Sequence, residues 1–146
     1  MNRKRITAIS LCLLVLLFSY TSADKLLNLD RFTTSMYNQP IPHWLAYALA
    51  RLIPVAEILT AVSLLFPATQ RLGLLSSFIL LSTFTLYITF ILLHFFRKIP
   101  CSCAGIFRHI TWQQHLWINL LMLALTVLAL STASQKPLRS PLNHSI

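Results

Sequence analysis

The 146-residue chain is 56% hydrophobic and only 10% charged, with two glycines, too little polar surface to clothe a water-soluble globule of this size. Its net charge of +9 comes from twelve Lys and Arg against three acids, Asp24, Asp30 and Glu57. All the bases except Arg51 lie between apolar stretches or at their ends, a membrane-flanking pattern rather than the basic stripe of a nucleic-acid binder. The expected fold is therefore all-α, a four-helix bundle set in the lipid bilayer, in one domain over residues 1–132 with a polar tail over 133–146.

Met1 to Arg5 carries three positive charges, and residues 6–23 are then uncharged, about 27 Å of helix and enough to span. Thr21-Ser22-Ala23 also resembles a cleavage region, so this stretch reads either as a first span or as a signal peptide. In both cases the positive start stays in the cytoplasm and Asp24 emerges outside. Residues 24–42 are mixed, with Leu26, Leu29, Phe32 or Thr33, and Met36 at helical spacing, which predicts a short amphipathic segment along the outer interface, ended by Pro40 and Pro42.

The second span, 43–66, holds Arg51, Pro54 and Glu57. Pro54 removes a backbone hydrogen bond one turn before the carboxylate. Glu57 falls about 20 Å along the helix from His43, near mid-bilayer, where a carboxylate is costly unless paired or protonated. Arg51 is six positions away on a different face, so Lys25 or a hydroxyl from another helix is as good a candidate partner as Arg51. A structural ion pair and a proton or ligand role both remain open for Glu57.

Pro67 to Leu72 reads as an inner turn, and 73–96 as a third span without Asp, Glu, Lys or Arg. Its hydroxyl residues, among them Ser77 and Thr85, suit close helix contact. A fourth span covers 112–132, with Trp112, His115 and Asn119 on one face near its start. Four spans put both termini in the cytoplasm and the 97–111 loop outside, where thiol oxidation is permitted. Cys12 falls within the first span, where a small apolar packing role is expected.

The outer loop carries Pro100-Cys101-Ser102-Cys103-Ala104-Gly105, preceded by Arg97 and Lys98 and followed by Arg108 and His109. Those cations would lower a thiolate's pKa and raise its reactivity. Two cysteines one residue apart could close into a strained, labile disulfide. Two chemistries can use such a pair. In thiol exchange one cysteine attacks and the other resolves; in metal binding Cys101 and Cys103, with His94 and His109, would suit Cu(I) or Zn(II). No haem-attachment motif or Gly-rich nucleotide loop is present in the sequence.

The cysteine loop followed by Trp112-x-x-His115-x-x-x-Asn119 resembles the MauE branch of the DoxX-like redox-associated membrane proteins. Tyr20-Thr21, Lys25-Leu26, Phe32, Pro54-x-x-Glu57 and Arg71-Leu72-Gly73 extend the resemblance over about residues 6–130. It implies a multi-pass protein of the bacterial inner membrane, associated with methylamine utilisation. That branch is thought to assist maturation or disulfide formation of a periplasmic dehydrogenase. By the same resemblance Cys101 and Cys103 are the redox pair, with Glu57, His115 and Asn119 in support. The expected function is thus a thiol–disulfide oxidoreductase acting on a secreted partner, with a non-catalytic assembly or metal-handling protein as the alternative. The electron acceptor stays open, a quinone being suggested only by analogy with other membrane redox bundles.

Overall fold

The computed structural model describes residues 3–93 and 111–133. Among these residues the chain forms α1 (Arg3–Leu27), α2 (Leu29–Tyr37), α3 (His43–Leu65), α4 (Gln70–Leu92) and α5 (Trp112–Ala133), and no strand. Four helices are long and apolar enough to cross a membrane, over Arg5–Leu27, His43–Leu65, Gln70–Leu92 and Gln113–Ala133. The protein is an all-α membrane bundle.

Two helix limits differ from the sequence expectation, and both have a local cause. α1 continues past Ala23 because Asp24-Lys25-Leu26-Leu27 contains no helix breaker. It bends only at Asn28, whose amide N–H and side-chain Nδ2 both donate to the Asp24 carbonyl, at 3.0 and 3.1 Å. At the α3–α4 connection Phe66 is extended, with φ −97° and ψ 125°, as a residue before proline prefers. Thr69 then fastens the turn by donating its hydroxyl to the Ser63 carbonyl at 3.0 Å, so that α4 starts at Gln70 and Arg71 is already helical.

The spanning helices pack as a ring, with α1 beside α3 and α5, and α4 also beside α3 and α5. α1 and α3 run antiparallel: Lys25 meets Glu57, while Phe18 and Leu14 lie in one cluster with Ala61 and Leu64. Leu74, Leu81 and Ala129 complete that apolar core from α4 and α5. At the end of the bundle where α1 begins and α5 finishes, the Thr7 and Thr132 hydroxyls pair at 2.7 Å. Near that end Gly73 admits α3 so closely that a Cβ there would stand 2.8 Å from the Leu64 backbone nitrogen.

At the opposite end α2 lies against α3, burying Phe32 and Met36 on Ala46 and Ala50 while Asp30, Arg31, Thr34 and Asn38 stay exposed. The Tyr87 hydroxyl of α4 donates to Gln39 Oε1 just beyond α2, tying this cap to the bundle. The outward faces of the spans are apolar, for instance at Leu16, Leu52, Ile79 and Leu121. Inward-facing hydroxyls are satisfied within their own helices: Ser77 donates to the Gly73 carbonyl at 2.8 Å and Thr126 to that of Met122 at 2.8 Å. That is the inside-out economy of a protein whose solvent is hydrocarbon.

Candidate functional site

The polar interior is centred on one ion pair at the α2 end. Lys25 Nζ lies 2.5 Å from Glu57 Oε1, with side-chain exposures of 11% and 1%. Helical side chains lean toward their own N-terminus. Because α1 and α3 are antiparallel, Lys25 leans down α1 while Glu57 leans up α3, and the two close the gap from opposite directions. Lys25 also lies 5.7 Å from the centre of the Phe32 ring and 5.6 Å from that of Phe84. The ammonium is thus held by a carboxylate from α3 and by aromatic faces from α2 and α4, in surroundings where cation–π attraction is strong because water is scarce.

Pro54 lies buried one turn before Glu57 inside α3, where the Ala50 carbonyl has no N–H to receive from that position. Thr21, one turn before Lys25 on α1, sits beside the Glu57 carboxylate. From α5, His115 comes near enough to feel the Lys25 charge, and Asn119 lies one turn farther on the same face, 5% exposed. Two buried polar atoms here have no hydrogen-bond partner among the described residues, Glu57 Oε2 and Asn119 Nδ2. One is a carboxylate acceptor and the other an amide donor.

Of the residues singled out in the sequence, the structure thus brings Glu57, His115 and Asn119 to one end of the bundle, around Lys25. Cys101, Cys103, His94 and His109 lie outside the described residues. His43 stands apart at the start of α3, exposed, its ring 5.3 Å from that of Tyr37. Among the described residues no three His, Cys, Asp or Glu side chains group closely enough to hold a metal ion. The packing role expected for Cys12 is corrected: it lies on the exposed side of α1, while Leu14 and Phe18 take the inward positions. Phe32 and Phe84 are the members of the site whose role as walls sequence reasoning missed; a phenylalanine in an apolar stretch carries no mark that it faces a cation.

Four membrane-crossing helices closed over a buried lysine–glutamate pair define a multi-pass membrane protein with a polar interior site. Within that class the chain belongs to the methylamine utilisation protein MauE family, whose model matches residues 3–132. It is accordingly a membrane protein associated with methylamine utilisation. No match was found among curated proteins or solved structures.

Proposed function

We propose that this protein carries out thiol–disulfide exchange at the outer face of the bacterial inner membrane, with Cys101 and Cys103 as the redox pair and a secreted protein as its partner. The observation that carries the reading is the Cys101-x-Cys103 motif, set among Arg97, Lys98 and Arg108 in a chain of the MauE family. The cluster Arg3, Lys4 and Arg5 supports a cytoplasmic N-terminus, and an even number of spans then returns the C-terminal tail to the same side. That α4 ends and α5 begins at the α2 end, the end that holds Lys25, Glu57, His115 and Asn119, supports thiol chemistry on that side of the membrane.

In the exchange a partner thiolate attacks the Cys101–Cys103 disulfide, forming a mixed disulfide and releasing one thiolate of the pair. The partner's second thiolate then displaces the remaining cysteine. The partner leaves with a disulfide, having given up two electrons and two protons, and Cys101 and Cys103 are left as thiols. A two-electron acceptor, of which a membrane quinone is the chemical class at hand, takes two electrons and two protons to restore the pair. Glu57, His115 and Asn119 serve as supporting groups, the carboxylate and imidazole being the ones able to carry a proton.

The test is to tag free thiols in intact cells with a membrane-impermeant alkylating mass tag, before and after mild reductant. The expected result is that Cys101 and Cys103 react from outside only after reduction, and that Cys101→Ser or Cys103→Ser traps a mixed disulfide with a secreted protein. Thiols that react without reductant, in a purified protein that holds stoichiometric Cu or Zn, would replace this reading with a metal-handling one. Thiols that stay unreactive after reduction would overturn the outer placement of the loop.

A further inference from the structure

Arg51 has its charge on the lipid-facing side of a membrane helix, and the fold gives it no acid. It is exposed on α3, its guanidinium stacked 3.9 Å from the centre of the Tyr47 ring one turn earlier. The whole chain has three acidic side chains. Glu57 is taken by Lys25, and Asp24 accepts from Asn28 at 3.2 Å; among the described residues Lys25–Glu57 is the only ion pair. Asp30 lies on the exposed face of α2, the helix that covers the neighbouring Ala50 rather than Arg51. The counter-charge for Arg51 therefore has to come from another molecule.

Its depth says which molecule. Arg51 is six residues before Glu57, about 9 Å farther toward the α2 end. That is the level of Ala46 and Ala50, the two α3 residues that α2 covers, and α2 turns its polar side outward there. Immediately beyond Arg51 toward the core of the bilayer, Leu52 and Val55 face outward, whereas Trp44 and Tyr47 are exposed on the other side. Exposed Trp44 and Tyr47, toward the start of the span, mark the approach to the headgroup boundary, and the Arg51 side chain, lying over the Tyr47 ring, reaches up toward it from within the span. At that boundary the anions are lipid phosphates.

We propose that Arg51 and Tyr47 form a binding site for the headgroup of an anionic phospholipid. The guanidinium offers two parallel N–H donors to the phosphate oxygens, a geometry that a lysine ammonium cannot reproduce. Stacking on Tyr47 holds the plane of the fork and leaves its edge free for the phosphate. The acyl chains lie along Leu52, Val55 and Leu59, which are exposed on the same helix. The site stands apart from the Lys25–Glu57 cluster and does not depend on the thiol chemistry.

The experiment uses the full-length protein in nanodiscs of equimolar phosphatidylglycerol and phosphatidylcholine, released and weighed by native mass spectrometry. The wild type is expected to retain phosphatidylglycerol over phosphatidylcholine by about tenfold, the worth of one charge-assisted pair of hydrogen bonds. Arg51→Gln should abolish the preference. Arg51→Lys should keep only part of it, and Tyr47→Leu should weaken it with the charge intact. Because both side chains are exposed, these variants should fold, and an unchanged melting temperature confirms that they have. Equal retention of the two lipids by the wild type, or an undiminished preference in Arg51→Gln, would overturn the proposal and leave an acidic segment of another protein as the counter-charge. Displacement of the lipid by inorganic phosphate at matched concentration would reassign the site to free phosphate and overturn the lipid assignment.

Discussion

Replacing Glu57 by Ala would leave the Lys25 ammonium in an aromatic, water-poor setting with no counter-charge. Breaking one half of a buried pair costs about 3–5 kcal/mol, much of it the penalty on the charge that remains. The double variant Lys25→Met/Glu57→Gln removes both charges and should recover most of that loss. Melting temperatures of the two variants in the same detergent decide the matter: a double variant no more stable than Glu57→Ala would mean that the stranded ammonium is not what costs the stability. Sequence reasoning reached the need for a partner, because a carboxylate amid hydrocarbon demands one, and left Lys25, another helix's hydroxyl and Arg51 open; the structure selects Lys25. That reasoning named Phe32 only for the amphipathic face and the family resemblance, not as a wall for the ammonium, and did not reach Phe84, since nothing in an apolar run distinguishes the phenylalanine that faces a cation from the one that faces lipid.

Among the helices, the closest approach is that of α3 and α4 at Gly73. A methyl group there would press within 2.8 Å of the Leu64 backbone nitrogen, and backbone, unlike the end of a side chain, cannot turn aside. Gly73→Ala is expected to lower stability by about 1–3 kcal/mol by forcing the two helices apart, read as a lower midpoint in detergent unfolding. A melting point equal to that of the wild type would show that α4 can slide to accommodate the methyl. The class of these elements was legible because uncharged stretches of spanning length admit no other reading. Their ends were less so. Ala23 looked like a boundary by composition, yet α1 continues to Leu27 because the charge of Lys25 is met by a helix that composition cannot place beside it.

For the molecule as a whole, the arrangement of helices was the part least written in the sequence. Apolar periodicity says which segments cross a bilayer, but it does not say which of them touch, since every face of such a helix is greasy. The ring order rests instead on a few polar or small residues, and the Thr7–Thr132 contact makes it measurable. Cysteines at both positions, in a background with Cys12, Cys101 and Cys103 changed to Ser, should be joined by a short thiol cross-linker in membranes. Failure to join them would remove α1 from beside the end of α5 and with it the proposed closure of the bundle. The Cys101-x-Cys103 spacing is by contrast a feature of sequence alone.

The lysine–glutamate pair also sets an order of events during synthesis. Lys25 and Glu57 are separated by 32 positions, so the carboxylate leaves the ribosome soon after the ammonium and well before α4 and α5 exist. Lys25, near the end of α1, can wait at the membrane surface with its long side chain reaching toward water. Glu57 has no such reach, being fifteenth in a helix of 23 residues. The first two spans thus bring together the one buried ion pair among the described residues before the later pair of helices is made, with Arg51 left to the lipid-facing side.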